Sequence, residues 1–192
     1  MNRMLQTVRL LAAYAAIALG LTLAAPAAAQ QQSSYTVDEI VTTGHQFFGS
    51  TAGGLAQLVE RAFQSYGLPN GYILGEEAAG AFFGGLRFGE GTLFTKNAGQ
   101  HRMFWQGPSL GFDIGGDGAR TMMLVYNLPS VEGIYGRFAG LTGSAYLVGG
   151  LGMTVLVRDE IVLVPVKTGV GARLGVNLGY LKVTPMPTWN PF

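Results

Sequence analysis

The chain has 192 residues, enough for one domain, and its 12 basic and 11 acidic residues leave a net charge of +1, which implies no polyanion partner. Charged residues make up only 12% and hydrophobic ones 48%, so the 30 glycines belong to a strand-rich domain with tight turns, not to a disordered chain. There is no cysteine, which excludes disulfides, thiol catalysis, thiolate metal sites and lipid attachment to an N-terminal cysteine.

Arg3 and Arg9 precede an apolar run, Leu10 to Leu23, and Pro26 then precedes Ala27-Ala28-Ala29. That order predicts an export signal over residues 1–29, with Ala27 and Ala29 as the small cleavage-site residues before Gln30. The apolar core falls short of the ~20 residues a spanning helix needs, so the processed chain is not expected to be an integral membrane protein. Loss of the segment leaves ten basic against eleven acidic residues, close to neutral.

After a polar leader, Thr36-Val37-Asp38-Glu39 is a capping-box pattern that opens a helix carrying Val37, Ile40, Val41, Phe47 and Phe48 on one face. Gly49-Ser50-Thr51 ends or kinks it. A second helix is marked by Leu55, Leu58, Val59, Ala62, Phe63 and Tyr66, an unbroken amphipathic stripe, with Gly67 as its C-terminal cap. The stripe lacks lysine and carries few aromatics, so it is expected to pack on the domain and not on a membrane.

Beyond Pro69-Asn70-Gly71 the apolar period changes to two. Tyr72 to Leu74 starts the sheet, while Glu76 to Ala79 also suits a helical turn. Ala81 to Phe88 reads as a strand with Phe82, Leu86 and Phe88 on one face. Gly89-Glu90-Gly91 reads as a turn into Thr92 to Thr95, and Arg102 to Trp105 as a further strand. Leu110, Phe112 and Ile114 share a face before the hairpin signal Gly116-Asp117-Gly118. Met122 to Tyr126 is apolar throughout and therefore covered on both faces. Ser130 caps a short helix reaching Phe138 in this reading. Met153 to Val157 and Ile161 to Val166 form a hairpin across Arg158-Asp159-Glu160, with Pro165 marking an edge, a bulge or the strand end. Ala172 to Tyr180 alternates as a last half-buried strand.

These runs amount to about eight strands, the number at which a closed barrel is filled by its own side chains, and strand glycines permit the curvature of closure. The expected fold is mainly β: a small soluble antiparallel β-barrel (71–184) with helices (30–70) packed on its outside, a β-sandwich being the alternative. Residues 185–192 form a proline-rich extended tail, and 30–192 constitute one domain. Pro185, Pro187 and Pro191 forbid the closing strand of a membrane barrel, so Trp189 and Phe192 are expected to dock on the barrel or on a partner.

Gly107-Pro108-Ser109-Leu110-Gly111 matches a nucleophile elbow in letters only. An elbow needs a helix after the serine, and the triad histidine follows it along the chain; here strand and turn residues follow, and both histidines, His45 and His101, come earlier. Neither histidine has neighbours at metal-ligand spacing, and Asp113 with Asp117, like Asp159 with Glu160, reads as a solvated turn. No P-loop or dinucleotide fingerprint is present. No catalytic residue, cofactor or metal is therefore assigned. Arg102, Trp105, Trp189 and Phe192 are the candidate partner contacts. The envelope component they would meet is a lipid, a glycan or a periplasmic protein, and not a nucleic acid.

Three stretches carry a family resemblance: Tyr35-Thr36-Val37-Asp38-Glu39-Ile40, Gly71-Tyr72-Ile73-Leu74-Gly75-Glu76-Glu77 and Gly107-Pro108-Ser109-Leu110-Gly111-Phe112-Asp113. Together they make the chain resemble the EipA family of alphaproteobacterial envelope-integrity proteins. That resemblance implies a soluble periplasmic eight-stranded barrel that supports resistance to envelope stress, with no catalytic residues to carry over. A fainter similarity, over residues 109–126, is to SYLF-type lipid-binding domains and implies contact with envelope lipid. The expected function is thus non-enzymatic support of the cell envelope through a partner, or, alternatively, binding of an envelope lipid or glycan.

Overall fold

The computed structural model describes residues 33–49, 52–80, 85–108, 119–141, 143–168 and 179–190. The export signal, Ser109, the Gly116-Asp117-Gly118 turn, Phe82, Phe192 and most of 172–180 lie outside the described residues. The helices and strands described belong to one compact unit, Ser34–Phe192.

Helix α1 spans Val37–Phe48 and α2 spans Leu55–Tyr66. The capping box is formed as the sequence predicts: Glu39 N–H donates to Thr36 Oγ1 at 3.3 Å, and Thr36 N–H donates to Glu39 Oε2 at 2.7 Å. Gly49 and Gly67 end the two helices at φ 97° and 76°, a region that L side chains rarely enter.

Ten strands follow among the described residues: β1 Gly71–Gly80, β2 Leu86–Thr95, β3 Gly99–Pro108, β4 Ala119–Tyr126, β5 Gly136–Gly140, β6 Tyr146–Val148, β7 Leu151–Met153, β8 Leu156–Arg158, β9 Ile161–Thr168 and β10 Tyr180–Thr184. Eight of them run in the order β4-β1-β2-β3-β10-β5-β8-β9, and the β4–β9 ladder closes the barrel. The pairings are antiparallel throughout. Strands β7 and β6 extend from β9 beyond the closed ring.

Pleating of β4 and β9 divides the core in two. Met123 and Val125 of β4, with Ile161 and Leu163 of β9, point into the barrel and join Ile73, Leu93, Met103 and Phe138 in one apolar cluster. Met122, Leu124 and Tyr126, with Val164 and Val166, point outward and are covered by Ile40, Leu55, Leu58, Val59 and Ala62 of the helices. Each fully buried aliphatic side chain of this kind contributes about 1.5–3 kcal/mol. The unbroken apolar run Met122 to Tyr126 is thus explained by two separate cores meeting on one strand.

Several local expectations are corrected. Gly89-Glu90-Gly91 is not a turn but the middle of β2, because a Cβ on Gly91 would meet the Leu74 carbonyl at 2.4 Å and one on Gly89 would overlap the Trp105 indole. Those glycines serve close approach, not chain reversal. Glu76 to Ala79 continues β1, paired on one edge with β2 and, over Glu76 and Glu77, with β4 on the other. Ser130 precedes only a single 3-10 turn, Val131–Ile134, and Phe138 lies in β5. Pro165 sits inside β9, where its missing N–H faces the break between β7 and β8 while its carbonyl still accepts from Thr154 N–H at 3.1 Å. The predicted hairpin forms with Asp159 at φ 53°.

Candidate functional site

Toward the end of the barrel where β1 and β3 finish, the inward-facing side chains become polar. Glu77 of β1 is 5% exposed and Arg87 of β2 is 3% exposed. Trp105 Nε1 donates to Glu77 Oε2 at 2.8 Å, and Lys167 of β9 pairs with the other carboxylate oxygen. Arg87 Nη2 donates across to the Tyr180 carbonyl of β10 at 3.3 Å. The register explains this meeting: Gly89 is paired with Glu77 on one side and Trp105 on the other, and its lack of a side chain leaves the space that the indole fills. Gly75 clears the far edge of the same ring.

Burial works against an ionised Glu77, but Lys167, Arg87 and the Trp105 hydrogen bond outweigh it and hold the carboxyl below its ordinary range. A carboxylate held that way accepts protons poorly near neutrality, which suits a strut better than a general base. The cluster ties β1, β3 and β9 together and fixes β3 in orientation.

What β3 then presents on its outer side is different. Arg102, Phe104 and Gln106 alternate outward, beside Phe88 and Glu90 of β2 and Glu76 and Ala78 of β1. The chain after β10 returns over this face, held by Lys182 Nζ donating to the Asn190 carbonyl at 3.0 Å. Trp189 lies 5.3 Å from the Phe88 ring, centre to centre, yet stays 83% exposed. Together these residues enclose an open groove of about 600 Å³, within the size range of small-ligand sites. Arg102 pairs with Glu90 at 2.9 Å and lies 5.3 Å over the Phe104 ring.

Of the residues singled out by sequence, Arg102, Trp105 and Trp189 line this groove. Trp105 is 1% exposed with its indole N–H turned onto Glu77 in the lumen, so Arg102 and Trp105 leave opposite faces of β3. Residues three apart on a strand face opposite ways, and that parity was available in the sequence. Phe192, Ala27, Ala29 and Gln30 lie outside the described residues. His101 lies in β3, its Nε2 2.8 Å from the Ala98 carbonyl of the preceding turn, and His45 sits in the last turn of α1. Sequence reasoning missed Glu77, Lys167, Phe88 and Gln106. Glutamate and lysine in otherwise apolar strands were the only signal for the first two, and the tail's docking alone singles out the others.

A family model, Envelope integrity protein A, matches residues 33–192. The chain belongs to the EipA family. The family's name ties its members to the integrity of the cell envelope. Among solved structures, a β-barrel-like, uncharacterized protein from Brucella abortus is 66% identical, with a TM-score of 0.78 over 83% of this chain and 99% of that one. No curated protein matched the chain. No helix among the described residues is long and apolar enough to cross a membrane.

Proposed function

We propose that this EipA-family chain is a non-enzymatic periplasmic protein that supports the envelope by holding an envelope component on its outer surface. The observation that carries this reading is the filled barrel. Ile73, Leu93, Met103, Trp105, Phe138 and Leu181 pack into one cluster in the lumen, so a partner is met outside, where the groove over β1–β3 lies. Glu77 in the lumen is engaged by Lys167 and Trp105, as a strut is, and the apolar faces of α1 and α2 are spent on the barrel wall. Deleting the gene is expected to lower survival under detergent or EDTA, and fractionation is expected to recover the processed chain with the periplasm. Unchanged survival of the deletion strain, or recovery in the cytoplasm, would overturn the reading.

A further inference from the structure

The groove over β1–β3 has a chemistry of its own. Along each strand, aromatic and charged side chains alternate on one face: Phe88 then Glu90, Arg102 then Phe104. Trp189, one of two tryptophans in the chain, adds a large ring that is left in solvent although Phe88 is beside it. Beneath them Gln106 is 1% exposed, and its buried Nε2 has no acceptor among the described residues. A buried donor left without an acceptor is destabilising, and an acceptor brought by a ligand would relieve it.

Two ligand classes fit poorly. An acyl chain needs a continuous apolar slot, whereas here it would strip water from Glu76, Glu90 and Arg102 without replacing it. A phosphate or other anion would meet two rim carboxylates against one guanidinium. A sugar ring matches what is present. Its C–H face lies flat on an aromatic ring, and its hydroxyls both donate to carboxylates and accept from Arg102 and Gln106. An acetamido substituent adds a carbonyl acceptor suited to the Gln106 amide.

We propose that the groove binds an uncharged chain of N-acetylated sugars, with Trp189 and Phe104 as stacking faces and Gln106 as the donor that reads the acetamido carbonyl. The proposal rests on the surface-binding reading above and names its ligand class.

The test uses protein purified from the periplasm of cells producing the full chain, titrated calorimetrically with tetra-N-acetylated chitotetraose, with cellotetraose, and with phosphatidylethanolamine–phosphatidylglycerol vesicles. Chitotetraose is expected to bind, cellotetraose to bind more weakly, and vesicles not at all. Trp189→Ala removes an exposed ring, so it is expected to leave the unfolding midpoint unchanged while weakening chitotetraose roughly tenfold. Gln106→Leu is expected to bring chitotetraose down to the level of cellotetraose. Binding to vesicles instead, no binding of chitotetraose, or binding indifferent to Trp189→Ala would each overturn the sugar site. Those outcomes leave the envelope reading intact wherever gene deletion still sensitises cells to detergent; unchanged survival on deletion is what removes that reading itself.

Discussion

Replacing Glu77 with glutamine deletes one charge from the lumen while keeping the side chain's size and an oxygen for the Trp105 indole N–H. Lys167 and Arg87 are then left facing a neutral amide inside the barrel, where Arg87 is 3% exposed and the Lys167 side chain 18% exposed. Breaking a buried ion pair from one side costs about 3–5 kcal/mol, and the partial exposure of Lys167 favours the lower end. With roughly 2–4 °C per kcal/mol for a domain of this size, the thermal midpoint at neutral pH is expected to fall by about 6–12 °C. Acid supplies the diagnostic. The folded Glu77 carboxyl titrates below its unfolded value, so its contribution is complete above the unfolded value and disappears as pH falls through the folded one. Urea midpoints of wild type and Glu77→Gln, measured from about pH 7 down to about pH 3, should therefore converge as wild type loses its charge. A Glu77→Gln midpoint equal to wild type at neutral pH would refute the strut, and so would a gap that stays constant into acid.

Other features of the fold make separate predictions. Gly89→Ala places a methyl group within 2.2 Å of the Trp105 ring, so equilibrium unfolding should report a loss of about 1–3 kcal/mol. Trp105→Phe should relieve that particular clash, and additivity of the two changes in a double-mutant cycle would show that the glycine does not serve the indole. Thr36→Ala removes one half of the capping box and should lower stability by about 1 kcal/mol, with hydrogen exchange quickening first in the opening turn of α1. Leu124→Ala opens space between the barrel wall and the helices, where Leu124 is fully buried; a loss of about 2–5 kcal/mol is expected, against no change if the helices were merely resting on the surface. Glu90→Gln breaks only the exposed pair with Arg102 and should change the unfolding free energy by less than about 1 kcal/mol.

Much of this protein is written in short-range patterns, and those patterns were sufficient where the physics is local. Thr36 and Glu39 close their box within one helical turn, and Gly49 and Gly67 end helices by taking a positive φ. The stripe from Leu55 to Tyr66 needs nothing but its own period to declare a buried face. Even the two-sided burial of Met122 to Tyr126 is legible, because a strand that is apolar at every position has no face to give to water. The family resemblance rested on the same local segments.

Tertiary structure decided what depends on neighbours far along the chain. Gly89 and Gly91 have the composition of a turn, yet the Trp105 ring and the backbone of β1 need their vacant Cβ positions, and neither neighbour is adjacent in sequence. Glu77 and Lys167, ninety residues apart, become a pair only because barrel closure through β4 and β9 brings their strands round to one another. The candidate groove is assembled in the same manner, from outward positions of three strands and a tail that folds back to set Trp189 on Phe88. Periodicity tells each residue which side of its own element it occupies; the identity of what lies opposite follows from register and closure, which are properties of the whole chain.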